Sequence, residues 1–284
     1  MKKVLITFLV LLTAVSAGAQ KVIYKPADSQ KIETLLNKAK DKKLGYNAMV
    51  YFSRCFKGIP YVAHTLETPG EECLVVNTRQ LDCLTLVETT LALSICHNTG
   101  RTTFDDYCEV LRSLRYRGGH TDTYASRIHY FTEWAADNAK MGFVKDALNE
   151  DSPETTEGVA DVWFMSRHPE SYSKLVEQPY LVEQIAAWER EISGQHFRYI
   201  PKDKLKPSAA LRQNVHNGDV IGIVTSKKGL DIAHVGIAVW HKDGLHLINA
   251  SSIHHKVVEE PMTLYRYMQK HPSQKGIRVI RPVF

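Results

Sequence analysis

The sequence contains no apolar run long enough to cross a membrane, no block of like charges and no low-complexity tract. Its longest apolar stretch covers residues 4–15, whereas a transmembrane helix needs about 20 residues. The 36 Lys and Arg only slightly outnumber the 31 Asp and Glu, and no zinc-finger, RNP or basic-region motif occurs. We therefore expect no nucleic-acid partner, no stable membrane insertion of the mature chain, and a monomer.

Motifs for metals and cofactors are also missing. Despite 13 histidines there is no His-Glu-x-x-His and no Cys-x-x-Cys, the spacings that place zinc ligands together. His254 and His255 are adjacent and would point to opposite faces of a strand. No glycine-rich phosphate loop or dinucleotide fingerprint is present. We therefore predict that the protein uses neither a metal ion nor a cofactor.

The N-terminus has the three parts of a secretory signal peptide. Lys2 and Lys3 supply the charged region, residues 4–15 the apolar region, and residues 17–19 (Ala-Gly-Ala) the small residues of a cleavage site. We predict a signal peptide over residues 1–19. The mature protein would then be exported and act in the periplasm or outside the cell.

Export makes the cysteine count informative, because an odd number leaves at least one thiol unpaired. The five cysteines are Cys55, Cys73, Cys83, Cys96 and Cys108. Two short loops could be closed by Cys55–Cys73 and Cys96–Cys108, or all the thiols could be free and buried. Sequence spacing alone does not decide between these alternatives.

Apolar periodicity changes along the chain, from helical in the first two thirds to alternating after residue 215. Helices are predicted over residues 28–44, 48–56, 81–95, 104–115, 125–140, 172–192 (interrupted near Pro179) and 262–269. Strands are predicted over residues 74–76, 219–225, 232–240, 245–250 and 276–283, with loops at 116–123, 149–158 and 202–207. This order predicts an α+β fold in a single catalytic domain, residues 20–284.

Cys83 opens the most apolar of these helices, directly after Asp82, a good N-cap residue. Free N–H groups and the positive end of the helix dipole favour a thiolate in the first turn. Cys83 is therefore a candidate nucleophile, with a buried structural cysteine as the alternative.

His234 lies on a predicted strand with two small residues, Gly236 and Ala238, on its face, which we expect to leave space over the imidazole. A four-residue turn to the next strand places His234 opposite Ser251 and diagonal to Asn249. A bulge would bring Asn249 closer, and its amide could then hold the imidazole in one tautomer. The alternative is a structural histidine.

Several short motifs occur in the order found in NlpC/p60-type cell-wall cysteine hydrolases, which the chain resembles. They are Gly58-Ile59-Pro60-Tyr61, Asp82-Cys83, Gly218-Asp219-Val220, His234-Val235-Gly236-Ile237 and Asn249-Ala250-Ser251. The resemblance implies a papain-like core, in which a helix carrying the cysteine packs on an antiparallel sheet carrying the histidine. It also implies that Cys83 is the nucleophile, His234 the base and Asn249 the third residue, with Tyr61 lining the site near the oxyanion.

The chain departs from that family at two points. The third residue is often His there, whereas here it is Asn, and about 150 residues separate Cys83 from His234. We interpret residues 104–210 as a helical insertion that shapes the substrate cleft. Together with residues 117–119, 126–131 and 276–282, the whole chain resembles the N-acetylmuramoyl-L-alanine amidase-like branch of the superfamily.

That branch cleaves small muropeptides, so the resemblance implies hydrolysis of the amide between N-acetylmuramic acid and L-Ala. Two alternatives stay open: an endopeptidase that cuts between D-Glu and the diamino acid, and a wall-binding module without activity. Tyr124, Arg127 and His129 are candidates to bind a substrate carboxylate, since Arg recognises carboxylates in a bidentate manner; a surface Arg beside a packed aromatic cluster is the alternative. Glu88 is expected to make a buried structural hydrogen bond.

Overall fold

Residues 21–284 are described by the computed structural model, and the predicted signal peptide lies outside them. The α-helices are α1 (Pro26–Ala39), α2 (Asn47–Arg54), α3 (Cys83–Asn98), α4 (Phe104–Arg115), α5 (Phe131–Lys140), α6 (Phe164–Arg167), α7 (Ser173–Glu177), α8 (Leu181–Ile192), α9 (Ala209–Asn214) and α10 (Leu264–Gln269). The strands are β1 (Val22–Ile23), β2 (Leu74–Val75), β3 (Val144–Asp146), β4 (Thr156–Val159), β5 (His196–Pro201), β6 (Val220–Thr225), β7 (Ile232–Trp240), β8 (Leu245–Ser251), β9 (Lys256–Glu259) and β10 (Gln274–Pro282). None of the helices between residues 21 and 284 is long and apolar enough to cross a membrane.

The main sheet is antiparallel and has eight strands in residues 21–284. Its order is β4-β5-β10-β6-β7-β8-β9, and β3 also pairs with β10. Strands β1 and β2 form a separate parallel pair. The α+β class is confirmed.

The segment expected as a helical insertion, residues 104–210, is more than helical. It carries β3, β4 and β5, and both β3 and β5 pair with β10. Its first helix, α4, packs on α3 in the same core. The prediction missed these strands because two of them have only three or four residues, too few for an alternating pattern to be recognised.

Helix α3 occupies the centre of the larger core, between the other N-terminal helices and strands β7 and β8. Every residue from Thr85 to Cys96 is buried, so the helix has no solvent-facing side. A helix enclosed in this way has a fixed position. Its first residue, Cys83, is therefore held rigidly against the sheet.

All five cysteines lie in the described residues and are free thiols. Cys96 and Cys108 belong to the larger core, and burial raises the pKa of each thiol to about 12. Of the two alternatives, the structure has free thiols and neither of the suggested pairings.

Candidate active site

Cys83 is fixed by the cap that starts α3. An Asp82 carboxylate oxygen accepts the Thr85 backbone N–H at 2.8 Å, and the Thr85 hydroxyl accepts the Asp82 backbone N–H at 2.8 Å. This reciprocal pair is a capping box. The prediction that Asp82 caps a helix beginning at Cys83 is confirmed.

Cys83 is half-buried, and burial raises the pKa of its thiol to about 12, with the Asp82 carboxylate raising it further. Backbone N–H groups of Val235, Leu84 and Cys83 itself act in the opposite direction. The helix N-terminus thus favours the thiolate as expected, but desolvation outweighs it. At neutral pH the resting protein holds a protonated thiol.

His234 and Asn249 meet as the hairpin register predicts. Strands β7 and β8 pair from Trp240↔Leu245 to Ile237↔Ile248, and beyond that point Nε2 of His234 lies 3.0 Å from Oδ1 of Asn249. Because an amide oxygen only accepts, Nε2 carries the proton and Nδ1 is left with the lone pair. The predicted proximity of the two side chains is confirmed.

The imidazole of His234 is neutral at neutral pH. Burial lowers its pKa, while the hydrogen bond with Asn249 and the carboxylates of Glu260 and Asp82 act to raise it. A buried neutral imidazole with a free lone pair is a general base. Val235, the next residue on β7, interacts through its backbone with the Cys83 thiol, and helix α3 packs on strand β7.

Gly236 does not leave open space above the imidazole, contrary to the prediction. A Cβ at this position would lie 2.7 Å from Cγ of Leu247 and 2.8 Å from the carbonyl oxygen of Ile248. The missing side chain lets Leu247 of the neighbouring strand pack against the backbone of β7. Gly236 therefore sets the close approach of the two strands.

Tyr61 lies beside Cys83. Its backbone N–H donates to the His255 carbonyl at 3.0 Å, and it bridges Leu81, which leads into α3. Burial raises the pKa of its phenol, and the charges of Cys83 and Asp82 raise it further. The phenol is therefore protonated and can donate a hydrogen bond.

Two further groups near the thiol and the imidazole were missed in the sequence. Burial raises the pKa of Tyr267, and Glu260 and Cys83 add to the shift. The buried Glu260 accepts a hydrogen bond from His254 through one carboxylate oxygen, and its other oxygen has no partner within the described residues. Neither residue lies in a motif, and only the packing of α10 against β8 brings Tyr267 close.

Arg127, predicted to bind a substrate carboxylate, is instead bound by carboxylates of the protein. Its side chain is 6% exposed and lies 3.0 Å from Glu67 and 3.5 Å from Glu72. Glu72 also accepts a hydrogen bond from the Tyr116 hydroxyl at 2.8 Å. The guanidinium charge is thus neutralised within the protein. The sequence did not indicate this, because the two acidic partners lie 55 to 60 residues earlier in the chain.

Tyr124 and His129 surround the same cluster. The Arg127 guanidinium lies 4.7 Å from the centre of the Tyr124 ring, and His129 Nε2 lies 3.0 Å from the Tyr124 carbonyl oxygen. Burial and the nearby Arg127 charge hold the pKa of His129 well below its usual value. Tyr124 lines a cavity of about 320 Å³, together with Glu72 and Lys174.

Glu88 makes the buried contact expected of it. Its carboxylate accepts from Arg115 at 2.7 Å, and both side chains are almost inaccessible. Arg115 also donates to the Val75 carbonyl at 2.7 Å. The pair links α3 to α4 and β2, and the prediction of a structural hydrogen bond is confirmed.

One group in the described part of the chain has the composition of a metal site. Donor atoms of His241, Asp243 and His246 lie within 4.8 Å of one another. The group sits in and beside the β7–β8 turn, at the opposite end of the hairpin from His234, roughly 20 Å along the strand. It was missed because His-x-Asp-x-x-His has no helical zinc spacing and becomes a cluster only when the turn forms.

The site thus combines a thiol, a neutral base and an amide that orients the base, which together suit nucleophilic attack on a carbonyl. Comparison with solved structures finds an N-acetylmuramoyl-L-alanine amidase from Bacteroides uniformis, 35% identical over 84% of this chain and 99% of that one, with a TM-score of 0.79. A Bacteroides fragilis protein named only provisionally, as a xylanase, is 37% identical over 81% and 98%, with a TM-score of 0.75.

A Legionella pneumophila protein shares the fold at 24% identity over 90% of this chain and 94% of that one, with a TM-score of 0.71. Comparison with curated proteins finds no match. Residues 51–277 match the family described as AmiA-like, N-acetylmuramoyl-L-alanine amidase-like. This match covers most of the chain, which therefore belongs to the AmiA-like family of N-acetylmuramoyl-L-alanine amidase-like proteins.

Proposed function

We propose that the protein is an exported cysteine amidohydrolase that cleaves the amide between the lactyl group of N-acetylmuramic acid and L-Ala in muropeptides. The observation that carries the proposal is the His234–Asn249 hydrogen bond of 3.0 Å beside a cysteine at the N-terminus of α3. The family and its amidase-named relative support the substrate class. The arrangement agrees with the NlpC/p60-type, papain-like mechanism that the motifs suggest.

Acylation begins from neutral partners, because burial keeps the thiol protonated and the imidazole unprotonated. Nδ1 of His234 takes the proton of Cys83 as the sulfur attacks the lactyl carbonyl carbon. Negative charge develops on the carbonyl oxygen, where N–H groups of the first turn of α3 and the Tyr61 hydroxyl can donate. The C–N bond then breaks, and Nδ1 returns the proton to the amine of L-Ala.

Deacylation uses the same base. Nδ1 takes a proton from water as the water oxygen attacks the thioester carbonyl. The C–S bond breaks, the sugar lactate leaves as a carboxylic acid, and Nδ1 returns its proton to the sulfur. Asn249 accepts from Nε2–H throughout, and so it stabilises the imidazolium that forms in each half-reaction.

Two of the other readings, a glycosidase and a wall-binding module, fit the site less well. Glycosidases act with a pair of carboxyl groups across the sugar bond, whereas the proposed site is built on a thiol and an imidazole. A wall-binding module needs no thiol beside a buried base. The endopeptidase uses the same chemistry on another bond, so only the products distinguish it.

The test is product analysis by mass spectrometry of N-acetylmuramoyl-tripeptide, with and without the 1,6-anhydro ring, after incubation with the wild-type chain. The expected products are the free sugar and an intact tripeptide beginning with L-Ala. If the products were sugar–L-Ala–D-Glu and the free diamino acid, the protein would be an endopeptidase and the amidase proposal would be wrong. Binding without any cleavage would favour the wall-binding module.

Two further parts of the proposal concern substrate size and location. We expect intact sacculi to be cut much more slowly than soluble fragments, since residues 104–210 add bulk around the cleft. Export rests on the signal-peptide pattern of residues 1–19. Fractionation of cells that express the full chain, beside a chain lacking residues 2–19, tests it: loss of the exported pool is expected only in the shortened chain.

A further inference from the structure

The turn between β7 and β8 holds three side chains whose hydrogen bonds do not balance without an additional positive charge. Nδ1 of His246 lies 2.8 Å from the Glu260 carbonyl oxygen, which only accepts, so Nδ1 carries a proton. In a neutral imidazole Nε2 then bears a lone pair. That lone pair faces an Asp243 carboxylate oxygen at 2.9 Å. Two acceptors this close require a positive charge, which is either a metal ion or a second proton on the ring.

His241 is held by a carboxylate in a different way. Its Nε2 lies 2.8 Å from the carboxylate of Glu259. Arg54 and Lys57 also form ion pairs with this carboxylate. Glu259 is therefore ionised and accepts from Nε2–H, which leaves Nδ1 of His241 as the lone-pair nitrogen.

Histidines that bind metals typically donate their outer N–H to a carbonyl or a carboxylate, which fixes the ring and raises its basicity. His246 does so to a carbonyl and His241 to a carboxylate. The two rings are stacked, with their centroids 4.2 Å apart. The side chain of His246 is only 3% exposed, whereas that of Asp243 is 63% exposed, so one ligand is held rigidly and another can adjust.

We propose that His241, Asp243 and His246 form a binding site for a divalent first-row transition metal, with Zn²⁺ as the representative ion. Two imidazoles and one carboxylate suit Zn²⁺ better than Mg²⁺ or Ca²⁺, which prefer oxygen ligands. Tetrahedral ligands around Zn²⁺ lie about 3.3 Å apart, between the 2.9 Å and 4.8 Å found here. A fourth position is open to water. The ion would join the ends of the hairpin that carries His234 and Asn249.

The test is calorimetric titration of the untagged full chain with Zn²⁺, repeated on Asp243→Asn, His241→Gln and the control His196→Gln. His196 is also an exposed histidine paired with a glutamate, but it lies outside the cluster. The wild type and the control should bind one Zn²⁺ per chain with equal affinity. Both cluster variants should bind about tenfold more weakly or worse. The melting temperature should rise with Zn²⁺ only in the wild type and in the control His196→Gln.

Cobalt identifies the ligand atoms. The Co²⁺ form should absorb in the visible range without a thiolate-to-metal charge-transfer band, since the site has nitrogen and oxygen ligands only. Such a band, or equal Zn²⁺ affinity in the wild type and Asp243→Asn, would overturn the proposal. Absence of binding in the wild type would also overturn it and would identify the missing positive charge as a proton on His246. None of these measurements depends on hydrolytic activity.

Discussion

The Cys83 site and the Arg127 cluster both contain titratable side chains that are at least partly buried, but the two regions differ in how charge is arranged. At Cys83 the groups are neutral: a protonated thiol and an imidazole oriented by a single hydrogen bond to Asn249. At Arg127 the charges of the guanidinium, Glu67 and Glu72 compensate one another inside the protein. The groups proposed for chemistry are thus uncharged at rest, whereas the Arg127 cluster is made of full charges that neutralise one another.

The largest effect should come from Cys83→Ala. Without the nucleophile, hydrolysis of N-acetylmuramoyl-tripeptide should fall by at least about 10⁴-fold, while the melting temperature changes little because the helix cap does not involve the thiol. Cys55→Ala, which removes another partly exposed free thiol, should keep wild-type turnover. Appreciable turnover in Cys83→Ala would remove the thiol from the mechanism.

Arg127→Met should act mainly on stability. It leaves Glu72 buried without its cation, and removal of one partner from a buried ion pair costs about 3–5 kcal/mol of the free energy of unfolding. Urea denaturation measures this change. Arg190→Met removes an exposed pair with Glu183 and should cost less than about 1 kcal/mol. Unchanged stability together with a raised KM would show that Arg127 binds substrate, and the two regions would then not differ in the way described.

Asn249→Ala should lower turnover by roughly 10- to 100-fold, in line with the about 1–3 kcal/mol cost of an unpaired buried ring N–H. Asn249→His should recover part of the loss, because its second ring nitrogen can accept the same bond. Steady-state kinetics on the tripeptide substrate give both numbers. If Asn249→Ala turned over at the wild-type rate, Asn249 would have no part in orienting His234.

The pH profile should show the neutral resting pair. Burial lowers the pKa of His234, so kcat/KM should rise with pH around a midpoint below the ordinary histidine value of about 6.5. It should then stay level into the alkaline range, because the thiol pKa is about 12. Asn249→Ala should move the midpoint lower still, since this hydrogen bond raises the pKa. A fall in kcat/KM near neutral pH would indicate a thiolate–imidazolium pair instead.

Local patterns were sufficient for part of this structure. The Asp82 cap fixed the start of α3, and the length of one turn fixed the register that brings His234 to Asn249. The ion-pair partners of Arg127 could not be predicted, because they come from a distant segment of the chain. The raised pKa of the Cys83 thiol could not be predicted for a related reason. Desolvation depends on all the residues packed around Cys83, and these come from many parts of the chain.

The position of β10 has a consequence for how the chain folds. This strand, the last one described, pairs with β3, β5 and β6, so it joins two portions of the sheet that do not otherwise contact each other through hydrogen bonds. Such distant pairings slow folding, because a long loop must close before they form. During synthesis the edges of β5 and β6 stay unpaired until residues 274–282 have emerged, and an unpaired edge is the point at which a nascent chain is most open to aggregation or to a chaperone.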